Sequence, residues 1–162
     1  RQMCIRDRFH GGSALYYAHL FDLQGKGEVI TIDITERPNQ PVHPRIHYIK
    51  GSSADPAIHE QVKAMVGEDK TVIVVLDSDH SRDHVFKEMN LWHPMVTLGS
   101  YMIVEDSNVN GYPVRPDFGP GPMEAIDDFL QTNDCFSIDV GMEKFLMTQN
   151  PRGYLKKTKH LE

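Results

Sequence analysis

The chain has 162 residues, 40% of them hydrophobic and 25% charged, with a formal net charge of −6. That is the size and balance of one globular domain able to bury a core. Its sequence holds no long Lys/Arg run and no apolar stretch of membrane-spanning length, so neither a nucleic-acid partner nor a membrane span is expected. No signal-peptide pattern opens the chain, and its cysteines, Cys4 and Cys135, lie far apart. Both points suit a reducing, cytoplasmic location. Assembly into a homo-oligomer stays open.

Gln2–Arg8 (QMCIRDR) has neither helical nor strand periodicity. It also matches the translation of a library-preparation transposon end. Residues 1–8 are therefore expected to be artefactual or disordered and to lie outside the fold. Gly11-Gly12-Ser13 then opens a helix that Gly25 and Gly27 close. Glu28–Ile34 reads as a buried strand carrying Asp33 near its end, and Pro38, Pro41 and Pro44 mark the loop after it. A short strand over Arg45–Lys50 leads to Gly51-Ser52-Ser53. Asp55 caps the next helix, which has Pro56 at its first position and runs to Val66.

Thr71–Asp77 (TVIVVLD) is the strongest strand, apolar enough for burial on both faces. A helix over His84–Leu91 and a strand over Val96–Val104, interrupted at Gly99, follow. The Pro- and Gly-rich loop Asn108–Gly121 precedes a helix over Met123–Leu130. Cys135–Val140 and Phe145–Thr148 read as a short antiparallel pair, with Cys135 in the core. The basic cluster Lys156–Lys159 reads as a solvated tail. Alternating strands and helices predict a parallel sheet covered on both faces, with ligands at the C-terminal strand ends.

Two loops at those ends are acidic: Asp77–His84 (DSDHSRDH) and Val104–Asn110 (VEDSNVN). Adjacent strands would bring Asp77, Asp79, Glu105 and Asp106 into one crevice. Crowded carboxylates repel unless protonated or bridged by a cation, and an all-oxygen set suits a hard ion such as Mg²⁺ or Mn²⁺. Spacing alone leaves a second reading open, in which these are surface acids and helix caps; Asp79 and Asp83 sit where a helix begins. His80 and His84 are four apart on one helical face, but the HExxH glutamate is missing. His43 and His93 precede prolines and read as loop residues. The sole His-x-acid spacing, His160–Glu162, falls at the chain's end.

The stretches VVLDSDHSRDHV, GSYMIVEDSNVNG, PDFGPGPMEAIDDFL and EKFLMTQNPRGYL closely resemble the cephalosporin hydroxylase family. That family is similar to class I methyltransferases and includes rhamnosyl O-methyltransferases. The resemblance covers Gly11 to Lys157. It implies an α/β, Rossmann-like class I methyltransferase sandwich, its sheet mostly parallel with an antiparallel strand near the C-terminus. On this reading residues 9–157 form a truncated methyltransferase-like domain and 158–162 a tail. The family's strand before the Gly-Gly-Ser ends in an acidic-Ile/Val-Gly pattern. Here the position holds Ile5-Arg6-Asp7-Arg8-Phe9-His10, so the first strand is expected to be missing or replaced.

The resemblance further implies S-adenosylmethionine as cofactor, held by Gly11, Gly12, Ser13, Asp33, Ser52, Ser53 and Asp77. It implies Mg²⁺ or another hard divalent ion on Asp79, Glu105 and Asp106. Catechol-type methyltransferases place a lysine base where this chain has Arg82. Arginine stays protonated, so His80 is the candidate base. The function implied is metal-assisted methyl transfer to a hydroxyl of a sugar or natural product, with the Asn108–Gly121 loop over this small-molecule acceptor. Two alternatives stand beside it: a hydroxylase or its partner, for which no redox ligand set is evident, and an inactive fragment that at most binds nucleotide.

Overall fold

A computed structural model describes the backbone of residues 2–7 and residues 10–36, 38–144 and 147–160. Seven strands form one sheet in the order β3-β2-β1-β4-β5-β7-β6. They are β1 (Gln2–Asp7), β2 (Glu28–Asp33), β3 (Ile46–Lys50), β4 (Thr71–Leu76), β5 (Tyr101–Val104), β6 (Phe136–Ile138) and β7 (Tyr154–Lys157). The first five run parallel, and β7 is antiparallel to both β5 and β6. The helices are α1 (Gly12–Gln24), α2 (Pro56–Val66), α3 (Arg82–Trp92) and α4 (Pro122–Thr132). Among the described residues, no helix is long and apolar enough to cross a membrane.

Residues 2–7, expected outside the fold, hold the central place in this sheet. Gln2–Asp7 pairs with β2 on one side and with β4 on the other. The first strand is thus replaced rather than missing. A strand flanked by two others is held by their amide and carbonyl rows, a constraint that local periodicity does not reveal.

Alternation along the strands sorts the core into two layers. Val72, Val74, Leu76, Met102, Val104 and Leu155 face α2, α3 and α4, which contribute Val62, Met89, Trp92, Ile126 and Phe129. Val29, Ile46 and Val75 face α1 through Ala14, Ala18 and Phe21. The first layer is the larger because three helices cover it. Cys135 is buried there, as expected.

Three elements differ from expectation. Val96–Val104 is a strand only from Tyr101, because Gly99 adopts φ 78 and turns the chain just before it. The partner of β6 is Tyr154–Lys157 rather than Phe145–Thr148. Phe145 and Leu146 lie outside the described residues, and Met147 and Thr148 are not in a strand. The basic cluster is not a free tail. Lys157 is buried, and its ammonium donates to the carbonyls of His93 at 3.1 Å and Pro94 at 3.4 Å. Burial pushes its pKa down. Lys159 pairs with Asp134 at 2.6 Å.

Phe129 is fully buried and meets Phe136 edge-to-face at 5.7 Å. Phe129→Ala should lower the unfolding free energy by about 3–5 kcal/mol, measured by urea denaturation. A loss under about 1 kcal/mol would show that α4 is not packed as described.

Candidate metal and cofactor site

Five parallel strands end on one side of the sheet, and the chain order reverses between β1 and β4. The loop after β1 leads to α1 on one face, and the loop after β4 leads to α3 on the other. A crevice opens at such a switch point.

Gly11, Gly12 and Ser13 start α1 at this crevice. Gly11 takes φ 80, and a Cβ there would lie 3.0 Å from Pro41 and 3.1 Å from the Tyr48 hydroxyl. Only glycine suits that corner. A Cβ on Gly12 would meet nothing within 4 Å, so the start of the helix faces open space. Asp33 ends β2, and its Oδ1 accepts from the Thr35 amide at 2.7 Å. Ser52 and Ser53 follow β3. The Ser52 hydroxyl accepts from the Ala54 amide at 3.3 Å, and the Ser53 carbonyl accepts from the buried Trp92 indole at 2.7 Å. Asp55 caps α2, accepting from the Ala57 amide at 2.9 Å.

The acidic loops come together, though not with the membership expected. Asp77, His80 and Asp106 each offer one ligand atom, and these atoms lie within 4.8 Å of one another. His80 Nε2 is 3.3 Å from Asp106 Oδ2, and all three residues are half-buried. Asp77, assigned by resemblance to the cofactor, therefore stands with the metal candidates. Asp79 turns to its own loop, its Oδ1 accepting from the Ser81 amide at 2.7 Å. The Ser81 hydroxyl and amide hold its carboxyl below the usual range. The carboxylate of Glu105, half-buried, is not among the converging atoms.

His80 and His84 do not act as a pair. His80 faces Asp106, while His84 Nε2 lies 3.6 Å from Glu88 Oε1. Two carboxylates with one imidazole are the reverse of the two-His, one-carboxylate set of non-haem iron oxygenases. Arg82 is unsuited to be a base. Its guanidinium bonds Asp128 and Asp83, which raise its pKa further.

Several residues that the sequence reading passed over shape the site. The Ser78 hydroxyl donates to Glu88 at 2.8 Å, tying the loop between Asp77 and Asp79 to a fully buried carboxylate on α3. Glu124 clasps the two ends of the loop after β5, accepting from Asn110 Nδ2 and the Gly121 amide at 2.7 Å each. Gly121-Pro122-Met123-Glu124 carried half of that signal: a glutamate three residues past the N-cap reaches back to the N-cap amide, although glycine has no side chain to return the bond. An open cleft of about 610 Å³ lies at the starts of α3 and α4, lined by Ser81, Arg82, Asp83, Pro120, Glu124 and Asp128.

Residues 6–158 match the family model described as Rhamnosyl O-methyltransferase/CmcI. The chain belongs to this family. A rhamnosyl O-methyltransferase of Mycobacterium tuberculosis (strain H37Rv) is 41% identical over 154 residues, covering 90% of this chain and 62% of the relative. That of Mycobacterium leprae is 40% identical over 151 residues, covering 90% and 66%. The chain thus spans under two thirds of these relatives' lengths. Among solved structures, CmcI with Mg and SAM superposes with a TM-score of 0.68 at 20% identity, over 98% of this chain and 65% of that one. The MycE methyltransferase of the mycinamycin pathway, in complex with Mg, SAH and mycinamycin VI, gives 0.64 at 15% identity, over 98% and 44%. These two likenesses establish the fold: the methyltransferase-type α/β sandwich of the Rhamnosyl O-methyltransferase/CmcI family.

The lowered Asp79 value has a sign that can be tested. Above the ordinary value of 3.8 the carboxylate is charged folded and unfolded, and its bond to Ser81 contributes in full. The contribution disappears as pH falls below 3.8 through the lower folded value. Asp79→Ala should lower stability at pH 7 by no more than about 1 kcal/mol, because the group is exposed and screened. The gap to wild type should close as pH falls below 3.8 through the lowered folded value. Urea midpoints across pH read this out, and a gap unchanged at low pH refutes a stabilising role for the bond to Ser81.

Proposed function

We propose that this chain is the core of an S-adenosylmethionine-dependent, divalent-metal-assisted O-methyltransferase acting on a hydroxyl of a sugar or natural product. The observation that carries the reading is the meeting of Asp77, His80 and Asp106 at the ends of β4 and β5. That meeting lies beside the glycine corner and Asp33 at the ends of β1 and β2. Family membership and the names of the mycobacterial relatives support it.

The donor set fits a divalent ion. Mg²⁺ needs one or two protein carboxylates and fills its remaining positions with water or substrate oxygen. Asp77 and Asp106 would hold it, with Glu105 and Asp79 next along the same two loops. A bound ion lowers the pKa of a coordinated hydroxyl and orients it. His80, held beside Asp106 at 3.3 Å, would serve as the base for the acceptor hydroxyl's proton once its ring nitrogen is released from that carboxylate. The crevice also fits the cofactor, whose bound sulfonium supplies an electrophilic methyl group. Asp33 would accept from the ribose hydroxyls, and the open start of α1 at Gly12 would admit the methionine end. Ser52 and Ser53 would border the adenine. The loop after β5, clasped by Glu124, would cover the acceptor and exclude water.

Calorimetry on the full chain tests this. Wild type should bind S-adenosylmethionine and, separately, Mg²⁺. Asp33→Ala should weaken the cofactor at least about tenfold and leave Mg²⁺ unchanged. Asp106→Asn should abolish Mg²⁺ binding. Asp77→Asn against Asp79→Asn then decides which aspartate of the first loop coordinates. A wild-type chain that binds neither ligand would overturn the reading.

A further inference from the structure

We propose that Asn150 is a positioning residue that sets the backbone of Asp106 and so aims its carboxylate into the site. Asp106 takes φ 52, a left-handed conformation that few residues other than glycine adopt. Aspartate tolerates that conformation better than most residues, and one long-range bond adds to the preference. Its amide donates to Asn150 Oδ1 at 2.9 Å, from 44 residues further along the chain.

Asn150 is itself held on both sides. Its amide donates to the Thr148 hydroxyl at 3.0 Å, and its carbonyl accepts from the Gly153 amide at 3.0 Å. The turn it belongs to, Gln149–Gly153, is docked flush on the loop after β5. The Gln149 carbonyl accepts from the Asn108 amide at 3.2 Å, and the Gly153 carbonyl from the Val104 amide at 2.8 Å. The Pro151 carbonyl accepts from the Ser107 hydroxyl at 2.6 Å. A Cβ on Gly153 would lie 2.2 Å from the Val104 carbonyl oxygen, so only glycine permits this approach. The backbone contacts join turn to loop. The Asn150 side chain adds what they do not: an acceptor aimed at the one amide whose orientation fixes the Asp106 dihedral.

This inference rests on the reading of Asp106 as a metal ligand, and the test separates the two. The full chain and its Asn150→Ala, Asn150→Asp and Ser107→Ala variants are titrated with Mn²⁺ by electron paramagnetic resonance. Exchange of the Asp106 amide is followed by NMR without metal. Asn150→Ala should weaken Mn²⁺ about tenfold, the lower end of what an outer-shell partner costs, and should remove protection from the Asp106 amide. Asn150→Asp keeps an acceptor and should restore both. Ser107→Ala removes a different tie of the same turn and should leave Mn²⁺ affinity of the folded chain unchanged. Equal losses in Asn150→Ala and Ser107→Ala, or wild-type affinity and exchange in Asn150→Ala, would overturn the proposal. If the wild-type chain binds no Mn²⁺, the metal reading falls. The exchange measurement still decides whether Asn150 holds Asp106.

Discussion

The backbone ladder joining β1 to β2 on one side and to β4 on the other is what the remaining architecture hangs on. Parallel strands gain nothing from local turns and need neighbours to satisfy their amides. By filling the middle of the sheet, β1 joins β3 and β2 to β4 and β5. It also places the corner at Gly11 next to the loop that carries Asp77. Without that ladder the glycine corner and the acidic loops would belong to separate pieces of sheet.

On that frame the acidic loops are fixed from behind by groups that do not enter the site. The fully buried Glu88 holds the first loop through Ser78. The turn at Gln149–Gly153 holds the second. Glu124 then closes the segment that follows it. Side chains that must present charge in a set geometry need such support, because mutual repulsion drives carboxylates apart. The division also explains Asp79. Its carboxylate is engaged by the Ser81 amide, while Asp77 and Asp106 are the ones that converge with His80.

Much of the fold was legible because its signals are local. Pro56 after Asp55, the apolar run of β4 and the glycine opening of α1 are dictated by residues within one turn or one strand. Asp33, Asp77 and Asp106 were legible as strand-end acids for the same reason. What escaped depends on distant pairing. Gln2–Asp7 carries charges that argue against a central strand, and its place is set by two partners. The match of β6 with Tyr154–Lys157 crosses a long loop, so the nearer Phe145–Thr148 reads as the better candidate. The burial of Lys157 depends on carbonyls at His93 and Pro94 that sequence spacing does not connect. That Asp77 rather than Asp79 converges with His80 and Asp106 goes with one amide hydrogen bond at Ser81, below the resolution of any pattern.

The reversed direction of β7 has a consequence for the order in which the molecule is completed. An antiparallel strand begins at the end of the sheet where its parallel neighbours finish. The turn that precedes β7 is thereby delivered beside Asp106, although it comes late in the chain. Loop closure over so long a separation is paid late in folding. A ribosome must therefore release the chain past Gly153 before the second acidic loop acquires its final shape. The first loop, whose support from Glu88 is only ten residues away, can be set long before.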